Sequence, residues 1–204
     1  MAKELIRLTL IALVTLFSLN CSMVLAWVPQ QGDIIFQDSP SSQSLAVKQA
    51  TESRYSHVGI ILFKKGQPYV FEASSKVIFT PLKEWITYGE NGHYVAKRLK
   101  EGLSEQQVAV LNNEVKRYEG KPYDLKFEWS DSKMYCSELV WKMYKKATGL
   151  EIGHLQEMRE FNLTSPLVRE KMQERYGNNA PLSQKIVSPA SMFDSPLLVT
   201  VGGE

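Results

Sequence analysis

The sequence predicts an α+β fold, an antiparallel sheet packed against helices. Two observations lead there. β-rich runs with alternating polarity fall mainly in the first half, while the clearest amphipathic helices follow them. The best-defined pair of runs, Tyr55 to Ser75, is interrupted only by Lys-Lys-Gly-Gln, which makes an antiparallel hairpin.

In chain order, the first segment stands apart. "MAKELIRLTLIALVTLFSLNCSMVLAW" carries Lys3 and Arg7, then an apolar run from Leu8 to Leu19, then Val24-Leu25-Ala26. A positive start, a short apolar centre and small residues at the end are the parts of a secretory signal peptide. The expectation is cleavage after Ala26 and export to the periplasm, with 27–204 as one domain. The apolar run is shorter than the ~20 residues a spanning helix needs. A lipoprotein signal at Cys21 fits poorly, because Ser18 and Asn20 occupy positions where such signals place Leu and a small residue.

"GDIIF", Gly32 to Phe36, reads as a short strand after a turn. The Ser cluster at 41–44 reads as a helix start, and "HYVAKRL", His93 to Leu99, alternates like a strand. In "LSEQQVAVLNNEVKRYEG", Ser104 and Gln107 form a capping box; Val108, Leu111, Val115 and Tyr118 form the apolar stripe, and Gly120 is the stop. A second helix opens near Cys136 and ends at Gly149, with Asp131 and Ser132 as candidate turn or cap residues. "TSPLVREKMQERYG" and "SPASMF" both show Ser before Pro, a helix-start pattern.

Composition narrows the function. With 44% hydrophobic residues the chain can bury a core. Its net charge of +2 is interspersed and offers no clustered basic face, so no nucleic-acid partner is expected. His93 and His154 are isolated, no ligand set has zinc spacing, and neither a phosphate loop nor a dinucleotide fingerprint is present. No metal and no cofactor are expected.

The chemistry-bearing residues begin in the hairpin. A two-residue Lys65-Gly66 turn sets Gly59 opposite Glu72, with His57 two positions further on the same face. Diagonal neighbours of this kind have Cβ atoms roughly 7 Å apart, within reach of long side chains. Only an odd-length loop would separate them. A carboxylate beside an imidazole fixes its tautomer and favours the cation, as a nucleophilic triad requires. A half-buried histidine satisfied by a neighbouring carboxylate would look the same.

Cys136 supplies the third group. Removal of Cys21 leaves it the only cysteine, so an exported chain has no internal disulfide to place it in. It opens a helix, where amides and the helix dipole favour a thiolate, the nucleophilic form. The alternative is a buried structural cysteine. Glu138 is read as favouring the same helix N-terminus. Asp33 is read as a turn residue.

These residues resemble a known superfamily. "GKPYDLKFEWSDSKMYCSELV" is similar to the nucleophile segment of NlpC/P60 cysteine peptidases, in which Gly-x-Pro-Tyr precedes a Cys-Ser pair opening a helix. "GDIIF" and "SHVGIILF" resemble that superfamily's Gly-Asp and His-bearing strands. Ordinary members run Cys, Gly-Asp, His. Here the order is Gly-Asp, His, Glu, Cys, which resembles the circularly permuted papain-fold members, closest to the YiiX-like amidase/hydrolase family. The resemblance implies Cys136 as nucleophile, His57 as base and Glu72 as the third polar member. It matches Tyr123 to a tyrosine bordering the site. Tyr55 and Tyr135, beside candidate groups, are further substrate-binding candidates.

The implied activity is an exported cysteine amidase or peptidase acting on a cell-envelope peptide, or on a lipid amide or ester. A lipid-directed acyl hydrolase or acyltransferase of the same fold is one alternative, and a non-catalytic envelope-binding module is another.

Overall fold

The computed structural model describes residues 27–203; the expected signal peptide and Cys21 lie outside the described residues. The strands are β1 (Ile34–Gln37), β2 (His57–Lys64), β3 (Gln67–Ala73), β4 (Val77–Pro81), β5 (Val95–Leu99), β6 (Gln156–Glu157), β7 (Lys185–Ile186) and β8 (Leu198–Gly203). The helices are α1 (Ser42–Thr51), α2 (Leu82–Thr87), α3 (Glu105–Tyr118), α4 (Cys136–Thr148), α5 (Pro166–Tyr176) and α6 (Pro189–Phe193). One sheet runs β4-β3-β2-β1-β5-β8, with every neighbouring pair antiparallel; β6 and β7 pair separately. The architecture is the expected α+β one.

The hairpin turns where the sequence places the turn. Lys65 and Gly66 both have positive φ, 51° and 76°, as a two-residue type I′ loop demands. The register follows, with Lys64 opposite Gln67 and Ile60 opposite Phe71. Gly59 is required by the close approach of the next strand. A Cβ there would stand 2.3 Å from Val70 Cγ1 and 3.4 Å from Glu72 Cβ.

β2 reads as a near-continuous apolar run because both faces of the sheet are covered. On one face Ile34, Phe36, Val58 and Ile60 pack with Leu111 of α3 and Leu139, Val140 and Met143 of α4. On the other a smaller cluster joins Ile35, Ile61 and Val70 to Leu82 and Trp85 of α2. Each such aliphatic side chain, fully buried, stabilises the fold by roughly 1.5–3 kcal/mol.

Helix starts follow the side-chain caps. Ser41 accepts from the Ser44 amide, Ser104 from Gln107, Ser165 from Val168 and Ser188 from Ser191. α4 ends at Gly149 in the left-handed conformation. Its start differs from the expectation. Tyr135 holds the cap position, while Asp131 is turned to Arg117 and to Lys142 Nζ at 2.9 Å. The C-terminal segment docks on α1, with the Asn162 amide on the Ala50 carbonyl and Ser165 Oγ on Gln49 at 2.7 Å. β4, α2 and β8 were not expected from the sequence.

Candidate active site

His57 is the first residue of β2, at the end of the sheet where the N-terminus of α4 arrives. Its Nε2 lies 2.5 Å from Glu72 Oε2. The hairpin register that makes the two residues diagonal neighbours produces this contact. Cys136, the first residue of α4, brings its side chain beside the same imidazole and acts on its charge. The structure thus brings all three sequence candidates together, with Glu72 hydrogen-bonded to His57 and Cys136 next to the ring.

The carboxylate is held by more than the histidine. Glu72 Oε1 accepts from Thr80 Oγ1 at 2.5 Å, and Oε2 also accepts from Trp85 Nε1 at 3.0 Å. The Trp85 ring stacks on the imidazole with centroids 5.9 Å apart. Sequence reasoning missed both donors. Thr80 had a readable signal: Glu72 is paired with Ile78, so Thr80, two residues on, is its diagonal neighbour just as His57 is on the other side. Trp85 comes from α2 and had no local signal.

These contacts set the charges. Burial alone would push the His57 imidazole down, but the neighbouring Cys136 and the hydrogen-bonded Glu72 outweigh it and hold the ring protonated up to about 10. Burial also works against the Glu72 carboxylate; the hydrogen bonds from His57, Thr80 and Trp85 and the imidazolium charge keep it below its usual range. This arrangement favours an imidazolium with a fixed carboxylate behind it.

The tyrosines divide. Tyr123 reaches the site and borders both cavities described below; burial, then the neighbouring Cys136, pushes its ionisation well up. Tyr135 is buried beside Cys136, with its ring edge-on to Phe127 and its hydroxyl accepting from the Val187 amide at 3.3 Å. Tyr55 is placed elsewhere. It stacks on Phe193 at 4.0 Å and meets Phe36 edge-on, so it packs the core and borders neither cavity described below.

Two more residues take structural places. Asp33 is buried and ties the start of the described chain together, accepting from Arg98 Nε at 2.6 Å, Trp27 Nε1 at 3.0 Å and the Gln30 amide. Glu138, fully buried one turn into α4, accepts from the Tyr135 amide at 3.4 Å and pairs with Lys142 at 2.8 Å. Burial raises its carboxyl to about 7 despite Lys142.

Two cavities meet at the triad. One, a cleft of about 660 Å³, is bordered by His57, Glu72, polar side chains including Ser39, Ser74 and Thr80, and apolar ones including Ile78, Phe79 and Leu125. The other, a narrow space of about 100 Å³, is bordered by Cys136 and mostly apolar residues. Ser56 and Tyr123 form part of both walls.

Known proteins show the same plan. Residues 28–202 match the family described as permuted papain-like amidase enzymes, YaeF/YiiX, C92 family. The uncharacterized protein YiiX of Escherichia coli K12 is 52% identical over 179 residues, which cover 88% of this chain and 89% of that protein. A solved structure of YiiX from Escherichia coli O157:H7 has a TM-score of 0.84 and 53% identity, covering 87% of this chain and 99% of that one. That YiiX protein is described as a metalloprotein. Among the described residues here, no group of three or more His, Cys, Asp or Glu side chains is placed to hold a metal ion. The chain belongs to the permuted papain-like amidase family of YaeF and YiiX.

Proposed function

We propose that the chain is a cysteine hydrolase that opens an amide or ester bond through a thioester acyl-enzyme, with Cys136 as nucleophile, His57 as acid and base, and Glu72 as the group that orients His57. The observation that carries this reading is the hydrogen-bonded Glu72–His57 pair with Cys136 beside it at the start of a helix.

The steps follow from the geometry. The Cys136 sulfur attacks the acyl carbon, the C–S bond forms, and the carbonyl electron pair moves to oxygen. The amides of the first turn of α4, which have no partners within the helix, are the donors available to that oxyanion. As the intermediate collapses, the leaving nitrogen or oxygen takes the His57 proton. A water then enters; His57 removes its proton, hydroxide attacks the thioester, and the sulfur leaves.

Export to the periplasm is part of the proposal and is supported by the sequence of residues 1–26. The substrate is accordingly a cell-envelope amide or ester.

The test is mass spectrometry of the protein mixed with 4-nitrophenyl acetate. Wild type gains one acetyl group on the tryptic peptide that contains Cys136 and releases a burst of nitrophenol. His57→Ala slows that burst by roughly 10²–10⁴-fold. An equal burst from Cys136→Ala would remove the proposal.

A further inference from the structure

The two cavities differ in chemistry, and they divide the triad between them. Cys136 borders only the narrow cavity, whose lining includes Ala50 of α1, Val168 and Met172 of α5, Phe127 and Ile186. Two basic side chains also border it, but both are engaged. Lys171 pairs with Glu174 at 2.7 Å, and Arg175 donates to Gln43 and lies over the Phe127 ring. His57 and Glu72 border only the wider cleft, whose wall sets hydroxyl, amide and carboxylate groups among apolar residues such as Ile78, Phe79 and Leu125.

The reaction assigns a different half of the substrate to each side. In acyl transfer the acyl half stays bonded to sulfur, and the other half departs with the proton from the imidazole. The acyl substituent therefore occupies space at Cys136, and the leaving group occupies space at His57. We infer that the narrow apolar cavity is an acyl-chain site and the wider cleft, with its hydroxyl and carboxylate groups, the site of the leaving group, so that the substrate joins an apolar acyl chain by an ester or amide bond to a bulkier group able to hydrogen-bond. This inference deepens the proposed function and rests on Cys136 as its nucleophile.

A polar peptide fits this division poorly. Its acyl half would bring backbone amides into the space walled by Ala50, Val168, Met172 and Phe127, and an amide buried without partners is costly. Methylenes reverse the sign: each one buried contributes about fourfold in binding.

The chain-length dependence of kcat/KM tests the inference, with 4-nitrophenyl acetate, butyrate and octanoate as probes. From acetyl to octanoyl, six more methylenes at about fourfold each, kcat/KM should rise on the order of 10³-fold. Ala50→Phe, which fills the cavity, should collapse that ratio toward one. Met172→Gln, which makes the wall polar with little change in volume, should reduce it as well. Cys136-dependent hydrolysis with a flat chain-length profile would overturn the acyl-chain site and leave the triad standing.

A second measurement needs no turnover. Octanoate is titrated into Cys136→Ala protein while the methyl signals of Met158, Met172 and Val168, all of which border the cavity, are followed by NMR. Saturable shifts that acetate does not reproduce, and that Ala50→Phe abolishes, support the site even if no ester is hydrolysed. Their absence overturns it.

Discussion

Glu72→Gln separates the charge of the carboxylate from its role in orienting the imidazole, because the neighbours of Glu72 dictate which way a replacement amide sits. Trp85 Nε1 and His57 Nε2 converge on Oε2. The indole N–H is a donor only, so an amide NH₂ at that position would face it with no acceptor between them. Thr80 Oγ1, at the Oε1 position, is a hydroxyl and accepts as readily as it donates. The substituted side chain therefore settles with its oxygen toward Trp85 and His57 and its NH₂ toward Thr80. The tautomer and ring orientation survive, and only the negative charge is lost. A hydrogen bond to a charged group is worth about 1.5–3 kcal/mol against 0.5–1.5 for a neutral one, so the difference is about one pKa unit or tenfold. The ring ¹⁵N shifts of His57 against pH report this. In wild type the imidazolium persists to about 10; in Glu72→Gln the midpoint falls by about one unit. Glu72→Ala loses much more, because the Trp85 and Thr80 donors are left buried and unpaired. A Gln variant as impaired as the Ala variant, or one with an unmoved His57 midpoint, would refute the argument.

The same carboxylate gives an acid limb to stability. Its folded pKa is lowered from 4.5, so the advantage of wild type over Glu72→Gln is fully present above pH 4.5 and is lost as pH falls through the lowered value; urea midpoints at several pH values follow it. Glu138 works in the opposite sense. With its pKa raised from 4.5 to about 7, it costs stability progressively across that interval, so Glu138→Gln should stabilise the fold at pH 8 by up to ~3 kcal/mol, seen as a higher Tm, and change Tm little at pH 4. An equal Tm gain at both pH values would sink that reading. Gly59→Ala drives a methyl to 2.3 Å from Val70 Cγ1 and should destabilise by roughly 1–3 kcal/mol in urea unfolding; an unchanged midpoint contradicts the close approach. Trp85→Phe removes one donor to Glu72, so the acid limb of alkylation should move to higher pH, and an unmoved limb means that the indole N–H does not hold the charge.

How much the sequence shows depends on the range of the forces involved. The hairpin was legible because a period-two pattern and a Lys-Gly turn are local, and together they determine the His57–Glu72 pairing. Helix starts were legible because Ser41, Ser104, Ser165 and Ser188 cap them through their own following amides. β8 was not legible. It ends in two glycines, which weaken a strand locally, yet the fold requires small residues there. A Cβ on Gly202 would stand 2.3 Å from Trp27 Cβ, and one on Gly203 would stand 2.4 Å from the Tyr94 carbonyl oxygen. Tyr55 misled for a related reason. Nearness to His57 along the chain says little about the site, because the ring is claimed by Phe36 and Phe193 from distant segments. Trp85 was hidden because its role depends on a helix folding back over the sheet to meet Glu72.

The order of the site residues along the chain has little physical consequence here. The imidazole needs a strand end beside a carboxylate, which β2 and β3 supply by hydrogen bonding to one another. The carboxylate needs donors, which β4 supplies by pairing with β3 and α2 by packing across the sheet. The sulfur needs a helix N-terminus at the end of the sheet, and α4 is held there by Leu139, Val140 and Met143 in the larger core. Each requirement is met by lateral contact between elements. A chain that reaches the nucleophile last, as this one does, builds the same arrangement as one that reaches it first. What the order does leave downstream of Cys136 is α5 and the β6–β7 pair, and residues of both border the cavity on the sulfur side. The segments that follow the nucleophile thus shape the space in which its acyl group sits, so substitutions there should alter substrate choice before they alter the charge state of His57.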